Sequence, residues 1–291
     1  MAYRFMKANQ GRYAIREMAF LFGVSRSAYY QWARDGVSQR RKTIDDEMVR
    51  LIREIVERHH RRYGSPRVRQ ELRNVYGKRV SLKKVARLMR ENGLNARRRR
   101  KHIRTTDSKH AFPVCENILN REFYAERGGQ KWVSDITYLR TVGGWVYLTI
   151  VLDLFDRKII GWALSSDMET AHTTVAAFEM AVKNRTPQDG LIFHSDRGIQ
   201  YCAQGFCDIL QERCPAVRQS MSGKGDCWDN ACAESFFKTL KAELETLDGR
   251  HSAAEVRQSV FMYIESYYNR IRMHSVLDYV APNVYNLRKV A

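Results

Sequence analysis

Apolar residues recur at helical spacing through the first third of the chain. Between residues 13 and 35 this spacing predicts two short helices that meet at Gly23, with Ser25 as N-cap of the second. A second pair is predicted in YGSPRVRQELRNVYG and VSLKKVARLMRENGL, where Pro66 suits a first helical turn and Ser81 an N-cap. Such pairs favour helix-turn-helix units, although a packed helical pair without a DNA role has the same pattern.

From Trp132 the pattern changes to β-rich runs. KWVSDITYLR, GWVYLTIVLDL and RKIIGWALSS are separated by short polar connections, which predicts an antiparallel meander. A helix, the strand LIFHSD, another helix, a loop that opens with a possible short strand, and the helix DNACAESFFKTLKAEL follow, with Asp229 as a candidate cap. This is the order of a ribonuclease-H-like fold, although other α+β domains share it. We therefore expect an α+β protein with a mixed sheet flanked by helices, preceded by helical DNA-binding domains.

These changes of pattern divide the chain into five expected segments. They are a helix-turn-helix-like segment at 1–38, a second helical DNA-binding domain at 39–94, a basic linker at 95–128, a ribonuclease-H-like catalytic core at 129–249, and a C-terminal helical tail at 250–291.

Positive charge is concentrated in the N-terminal part of the chain. The formal net charge is +18, and residues 1–110 carry 30 Lys and Arg against 10 Asp and Glu. Residues 111–291 carry 20 against 22. An excess confined to one part indicates a polyanion binder followed by an enzyme-like body, rather than a generally basic soluble surface. The side chains that we expect to contact DNA here are Arg26, Arg34, Lys83, Lys84, Arg87, Arg97, Arg98, Arg99 and Arg100.

Secretion, membrane insertion and a zinc module are not indicated. The N-terminus MAYRFMKANQ is polar, and the longest apolar run is too short to span a bilayer. None of the six cysteines has CxxC spacing, and no histidines stand in zinc-finger register. We expect reduced thiols in a cytosolic protein.

Three acidic residues are the candidate chemistry. Asp135 interrupts a strand, Asp196 ends the run LIF, and Glu234 lies on the last predicted core helix. Each has an ordinary alternative: an edge aspartate, a strand-end aspartate, and a surface glutamate paired with Lys238 at i+4. Together on one fold they form a set of hard oxygen ligands for divalent metal, and we expect two Mg²⁺ or Mn²⁺ ions.

Lysines accompany these acids. Lys238 and Lys241 follow Glu234 at i+4 and i+7, so they share one edge of the helix with it. The preceding loop, SGKGDCWDN, places Lys224 between two glycines, a composition that suits a loop closing on substrate. We expect all three lysines to contact DNA.

Longer motifs make the chain recognisable. Seven segments together resemble the OrfB-type transposases of the insertion-sequence-three family. In chain order they are VSRSAYYQW, YGSPRVRQEL, WVSDITYLR, VLDLFDRKIIGW, FHSDRGIQY, RQSMSGKGDCWDNACAESFFKTLKAE and YYNRIRMHSVLDYVAPNVY. That family belongs to the retroviral-integrase superfamily. By matching motif, its acidic triad falls on Asp135, Asp196 and Glu234, and its basic residue two turns after the glutamate falls on Lys241.

The resemblance implies DNA transposition. Such enzymes bind the terminal inverted repeats of their element in double-stranded DNA, free 3′ hydroxyls, and direct them at target phosphodiesters. It also implies self-association, at least as a dimer on DNA, and an upstream OrfA product as a possible partner. Two other functions stay open: a structure-specific nuclease of the same fold, which cuts without joining, and a non-catalytic DNA-binding regulator derived from a transposase.

Overall fold

The computed structural model describes residues 1–35, 39–97, 114–223 and 226–290. The chain forms two compact units, Met1–Ala96 and Arg97–Ala291. Lys224 and the run Arg98–Arg100 lie outside the described residues. The helices of the first unit are α1 (Ala2–Asn9), α2 (Ile15–Leu21), α3 (Arg26–Asp35), α4 (Gln39–Arg58), α5 (Ser65–Asn74) and α6 (Leu82–Glu91).

Helices α2 and α3 meet at a turn in which Gly23 has a φ of 60°, a left-handed conformation that suits glycine. Met6, Met18, Ala19 and Tyr29 form the small core beneath them. The outward face of α3 exposes the side chains that the sequence predicts there, Arg26, Ser27, Tyr30, Gln31 and Arg34. The two helices expected on either side of Gly23 are therefore confirmed, and a role of their exposed face in DNA binding stays a prediction.

The second pair, α5 and α6, has the predicted boundaries. Pro66 lies in the first turn of α5, and the Ser81 hydroxyl accepts a hydrogen bond from the Lys84 amide at 3.2 Å to cap α6. Gly93, with φ of 64°, follows the end of α6. The pair is packed through buried apolar side chains, namely Val68, Leu72, Val85, Leu88 and Met89.

The second unit contains one five-stranded mixed sheet. Its strands are β1 (Lys131–Thr141), β2 (Gly144–Asp153), β3 (Ile159–Ser165), β4 (Ile192–Ser195) and β5 (Arg218–Met221). Their order is β3-β2-β1-β4-β5, with the first three antiparallel and β4 and β5 parallel to β1. This is the mixed, helix-flanked sheet that the sequence predicts.

Helices cover both faces of this sheet. They are α7 (Ala176–Asn184), α8 (Ile199–Cys202), α9 (Gln204–Arg213), α10 (Ala231–Glu243), α11 (Ala253–Phe261) and α12 (Pro282–Val290). A π-helical turn, Ala171–Val175, precedes α7, and α7 lies so close to β3 that a methyl group at Gly161 would collide with the main chain of Ala177. The apolar core between α7, α9 and the sheet is centred on Trp132, Phe178 and Phe193.

The C-terminal segment packs on the sheet and on α10. The Asn269 amide bonds both main-chain groups of Ile159 on β3, at 2.9 and 3.0 Å. At the end of α10, Arg272 pairs with Glu243 through a shortest contact of 2.7 Å, and both side chains are buried. Tyr263 donates a further hydrogen bond to Glu243 at 2.8 Å. Segment 250–290 is thus part of the scaffold that holds α10.

Candidate active site

Asp135 lies in the middle of β1, opposite Ile150 of β2. Its Oδ1 accepts a hydrogen bond from the amide of Ile136 at 2.9 Å. Burial raises the pKa of the Asp135 carboxyl well above its ordinary value, and the negative charges of Asp196 and Glu234 raise it further. Three carboxylates that are distant in sequence therefore act on one another in the fold.

Asp196 follows β4 directly. Its Oδ1 accepts a hydrogen bond from the amide of Gly198 at 2.9 Å, at the turn that leads into α8. Strands β1 and β4 pair only over Lys131–Val133 and Ile192–His194. Asp135 and Asp196 thus each lie two residues beyond the paired segments of neighbouring parallel strands, which explains their electrostatic interaction.

Glu234 lies in the first turn of α10. Its carboxylate forms an ion pair with Lys238 at 2.9 Å, the i+4 contact that the sequence allows. Among the described residues, the only three acidic or histidine side chains with ligand atoms mutually within 4.8 Å are Asp167, Glu169 and His172, which lie elsewhere and are largely exposed. The ligand atoms of Asp135, Asp196 and Glu234 are therefore not all within 4.8 Å of one another.

Lys241 lies two helical turns after Glu234. Its ammonium donates a hydrogen bond to the Thr137 hydroxyl on β1 at 2.6 Å. Burial lowers the pKa of Lys241 to about 8, although the charge of Asp135 opposes that shift. Lys241 is thus a cation held beside the acids.

The start of α10 is fixed to β1 by a side chain that the sequence did not indicate. Asn230 donates a hydrogen bond from Nδ2 to the Ser134 carbonyl oxygen at 2.9 Å. The Ser134 hydroxyl in turn bonds the Ile150 carbonyl and the Tyr201 hydroxyl, each at 2.7 Å. These bonds fix the main chain next to Asp135.

The expected cap of α10, Asp229, has another role. Asn230 occupies the N-cap position, so the prediction that Asp229 caps this helix is wrong. The Asp229 carboxylate instead accepts hydrogen bonds from Gly223 at 2.8 Å, Asn117 at 2.9 Å and Arg121 at 2.8 Å. Asp229 thus connects the start of α10 to Gly223, which precedes the loop, and to Asn117 and Arg121, which precede β1.

A buried histidine supports the Asp196 strand. His194 contacts the hydroxyls of Ser220 and Ser222 at 2.9 and 3.1 Å through its two ring nitrogens. Burial lowers the pKa of His194 to about 4, so the ring is neutral at physiological pH.

The predicted DNA-contacting cations differ in their surroundings. Lys83 is exposed on α6. Lys84 and Arg87 instead form ion pairs with Asp45 of α4, at 2.6 and 2.7 Å. In the second unit, Arg97 pairs with Glu245.

Comparison with known proteins identifies the family. Models of the integrase core domain match residues 125–227 and 216–282, and a model of an HTH-like domain matches residues 43–102. The transposase InsF of insertion sequence IS3A from Escherichia coli K12 is 39% identical over 295 residues, with all of both chains covered. The chain belongs to the IS3 family of transposases. It has an integrase core and an HTH-like domain, and membership of this family implies DNA transposition by a polynucleotidyl transferase.

Other relatives of this IS3-family transposase include an uncharacterized 31 kDa protein of insertion element IS600 from Shigella sonnei. It is 39% identical over 266 residues, covering 91% of this chain and 96% of that protein. Among solved structures, the catalytic core domain of HTLV-2 integrase in complex with magnesium covers 55% of this chain and 97% of its own, with 12% identity and a TM-score of 0.43.

No described helix of this transposase combines the length and apolar character needed to cross a bilayer.

Proposed function

We propose that this transposase nicks DNA at the ends of its element and joins the freed 3′ hydroxyls to target DNA, in steps that require Mg²⁺ or Mn²⁺. One observation carries the proposal: Asp135 is buried in the middle of β1, and the negative charges of Asp196 and Glu234 add to the effect of burial in raising its pKa. Such a concentration of carboxylates in a nucleic-acid enzyme fits phosphodiester chemistry.

The donor set fits a divalent metal. Carboxylate oxygens are the ligands that Mg²⁺ prefers, and a cation relieves the repulsion that raises the pKa of Asp135. In the proposed site Asp135, Asp196 and Glu234 hold two ions, and Glu234 leaves Lys238 to join them. When bound, these ions supply charge stabilisation to the attacking and leaving oxygens.

The lysines of α10 act on the DNA in this proposal. Thr137 holds Lys241 beside the acids, where its ammonium contacts a phosphate next to the scissile bond. Lys238 becomes available to the phosphate backbone once Glu234 has turned away. Lys224, in the preceding loop, is proposed to contact the same strand.

Element ends are bound by the helical modules 1–38 and 39–94 in this proposal. The exposed face of α3 and Lys83 of α6 support a contact with the terminal inverted repeats. Lys84 and Arg87 form ion pairs with Asp45, and in this proposal they add to the positive electrostatic potential of the same surface. The basic run Arg97–Arg100 is proposed to contact the phosphate backbone as well. At least two copies act together, because two ends must be joined, and an OrfA product is a proposed partner.

A joining assay tests the proposal. Labelled terminal-repeat DNA and a target plasmid are incubated with the transposase in Mg²⁺ or in EDTA. We expect nicking and joined product in Mg²⁺ only, with both lost in Asp135→Asn. Asp208→Asn makes the same chemical change at an exposed position on α9 and is expected to retain both activities. Nicking without joined product would indicate a nuclease, and equal activity of Asp135→Asn would refute the triad.

A further inference from the structure

Asn230 contacts β1 just beyond the point where the pairing of β1 with β4 ends. The pairing of these strands covers Lys131–Val133 of β1. The next carbonyl along β1, that of Ser134, accepts the hydrogen bond from Asn230 Nδ2. Asn230 is 4% exposed, so this bond is shielded from water. The Asn230 amide thus provides a hydrogen-bond donor to β1 just beyond its pairing with β4, at the residue before Asp135.

The Asn230 side chain does not cap α10. Asparagine at an N-cap normally accepts a hydrogen bond from an amide of the first helical turn. Asn230 ends the 3-10 turn Cys227–Asn230, which Asp226 caps, and it occupies the N-cap of α10 without making such a bond. Its side chain connects the helix to a strand almost one hundred residues earlier. One end of this connection is adjacent to Asp135, and Glu234 follows the other end after about one helical turn.

A second buried asparagine of the same unit gives a direct comparison. Asn269 covers the edge of β3 with both atoms of its amide, donating to the Ile159 carbonyl and accepting from the Ile159 amide. Asn230 uses only its donor, and its buried Oδ1 has no hydrogen-bond partner among the described residues. A buried polar atom without a partner lowers stability. Asn269 thus uses both amide atoms on one strand residue, whereas Asn230 uses one amide atom to connect a strand to the start of a helix.

We propose that Asn230 is a positioning residue, which holds β1 and α10 at the separation at which Asp135 and Glu234 share a divalent cation. This inference rests on the metal site of the proposed function. Tilting of α10 away from β1 would move Glu234 but leave Asp135 and Asp196 in place. Loss of the Asn230 bond therefore weakens metal binding more than it weakens folding.

The test compares Asn230→Ser with Asn269→Ser. Serine keeps the N-cap preference at residue 230 but is too short to reach the Ser134 carbonyl. Mn²⁺ affinity is measured by electron paramagnetic resonance. Tm is measured on the same protein preparations before Mn²⁺ is added. We expect both variants to lower Tm, and only Asn230→Ser to raise the Mn²⁺ Kd, by about tenfold or more. Asn230→Thr, also a helix-capping residue, replaces Asn230→Ser if that variant does not fold.

Activity supplies an independent readout. Strand transfer by Asn230→Ser is expected to be slow at low Mn²⁺ and to recover toward the wild-type rate at saturating Mn²⁺, whereas general destabilisation would not be corrected in this way. If the wild type binds Mn²⁺ and Asn230→Ser binds it equally well, the positioning role is refuted and the metal site stands. If wild type and Asp135→Asn bind Mn²⁺ identically, the proposed metal site fails, and the positioning role fails with it.

Discussion

Asn230 Nδ2 lies 2.9 Å from the Ser134 carbonyl oxygen and fixes the start of α10 to the free edge of β1. The same helix is held at its other end by the buried pair of Glu243 and Arg272. Glu234 thus lies on a helix anchored at both ends, while its own side chain stays half-exposed and paired with Lys238. The main chain that carries Glu234 is thus held by buried contacts, whereas its exposed side chain has room to change rotamer.

Removing Lys238 should strengthen metal binding. In the metal-free protein its ammonium competes with a cation for Glu234, although the pair is exposed and therefore weak. We expect Lys238→Ala to lower the Mn²⁺ Kd by about twofold, measured by titration calorimetry. Lys183→Ala, at an exposed position on α7, is the control. A weaker Mn²⁺ affinity in Lys238→Ala would contradict competition for Glu234.

Removing Lys241 should weaken DNA binding. Its ammonium donates a hydrogen bond to Thr137 and is not one of the proposed metal ligands, so metal affinity should be retained. We expect Lys241→Ala to reduce the slope of log K against log salt by about 1 on element-end DNA, measured by fluorescence anisotropy. Thr137→Val keeps the charge and should change the slope less. A wild-type slope and wild-type end joining at elevated salt in Lys241→Ala would refute its DNA role.

His194 should make the stability of the metal-free protein fall in acid. Its pKa of about 4 in the folded state lies below the ordinary value of 6.5, so the unfolded chain binds more protons between these values. The free energy of unfolding is therefore highest above pH 6.5 and decreases as the pH falls toward 4, by roughly 3 kcal/mol from this group.

Urea denaturation in EDTA at several pH values measures this dependence. His194→Gln should remove much of the decrease, whereas His172→Gln, at an exposed position, should not. Parallel pH profiles for wild type and His194→Gln would show that His194 is not the responsible group.

Replacing one member of the buried pair Glu243–Arg272 should lower the free energy of unfolding more than replacing both. Arg272→Leu leaves the Glu243 carboxylate buried, with the Tyr263 hydroxyl as its remaining partner among the described side chains, which we expect to cost about 3–5 kcal/mol of unfolding free energy. Adding Glu243→Leu should recover a large part of that loss. A double variant as unstable as the two single losses combined would show that the two side chains act independently.

Local patterns were sufficient for the elements and for one contact of the site. The alternating runs predict β1, β2 and β3, helical spacing predicts α5, α6 and α10, and Ser81 caps α6 as expected. The contact of Glu234 with Lys238 follows from i+4 spacing alone.

Contacts between distant segments could not be predicted in the same way. Lys241 meets Thr137, and Asn230 meets Ser134, across roughly one hundred residues, so no periodicity relates them. Glu243 is buried because Arg272 of the C-terminal segment neutralises it, whereas its charge alone predicts an exposed residue. Asp229 was expected as a cap because aspartate favours that position, but Arg121 and Asn117 provide other donors.

The central claim is that Asp135, Asp196 and Glu234 bind divalent metal together. A crystal structure of the protein soaked in Mn²⁺, with anomalous diffraction data, tests it most directly. We predict anomalous peaks among the three carboxylates, with Glu234 turned away from Lys238. Manganese absent from these residues at saturating concentration, with Glu234 still paired to Lys238, would contradict the claim.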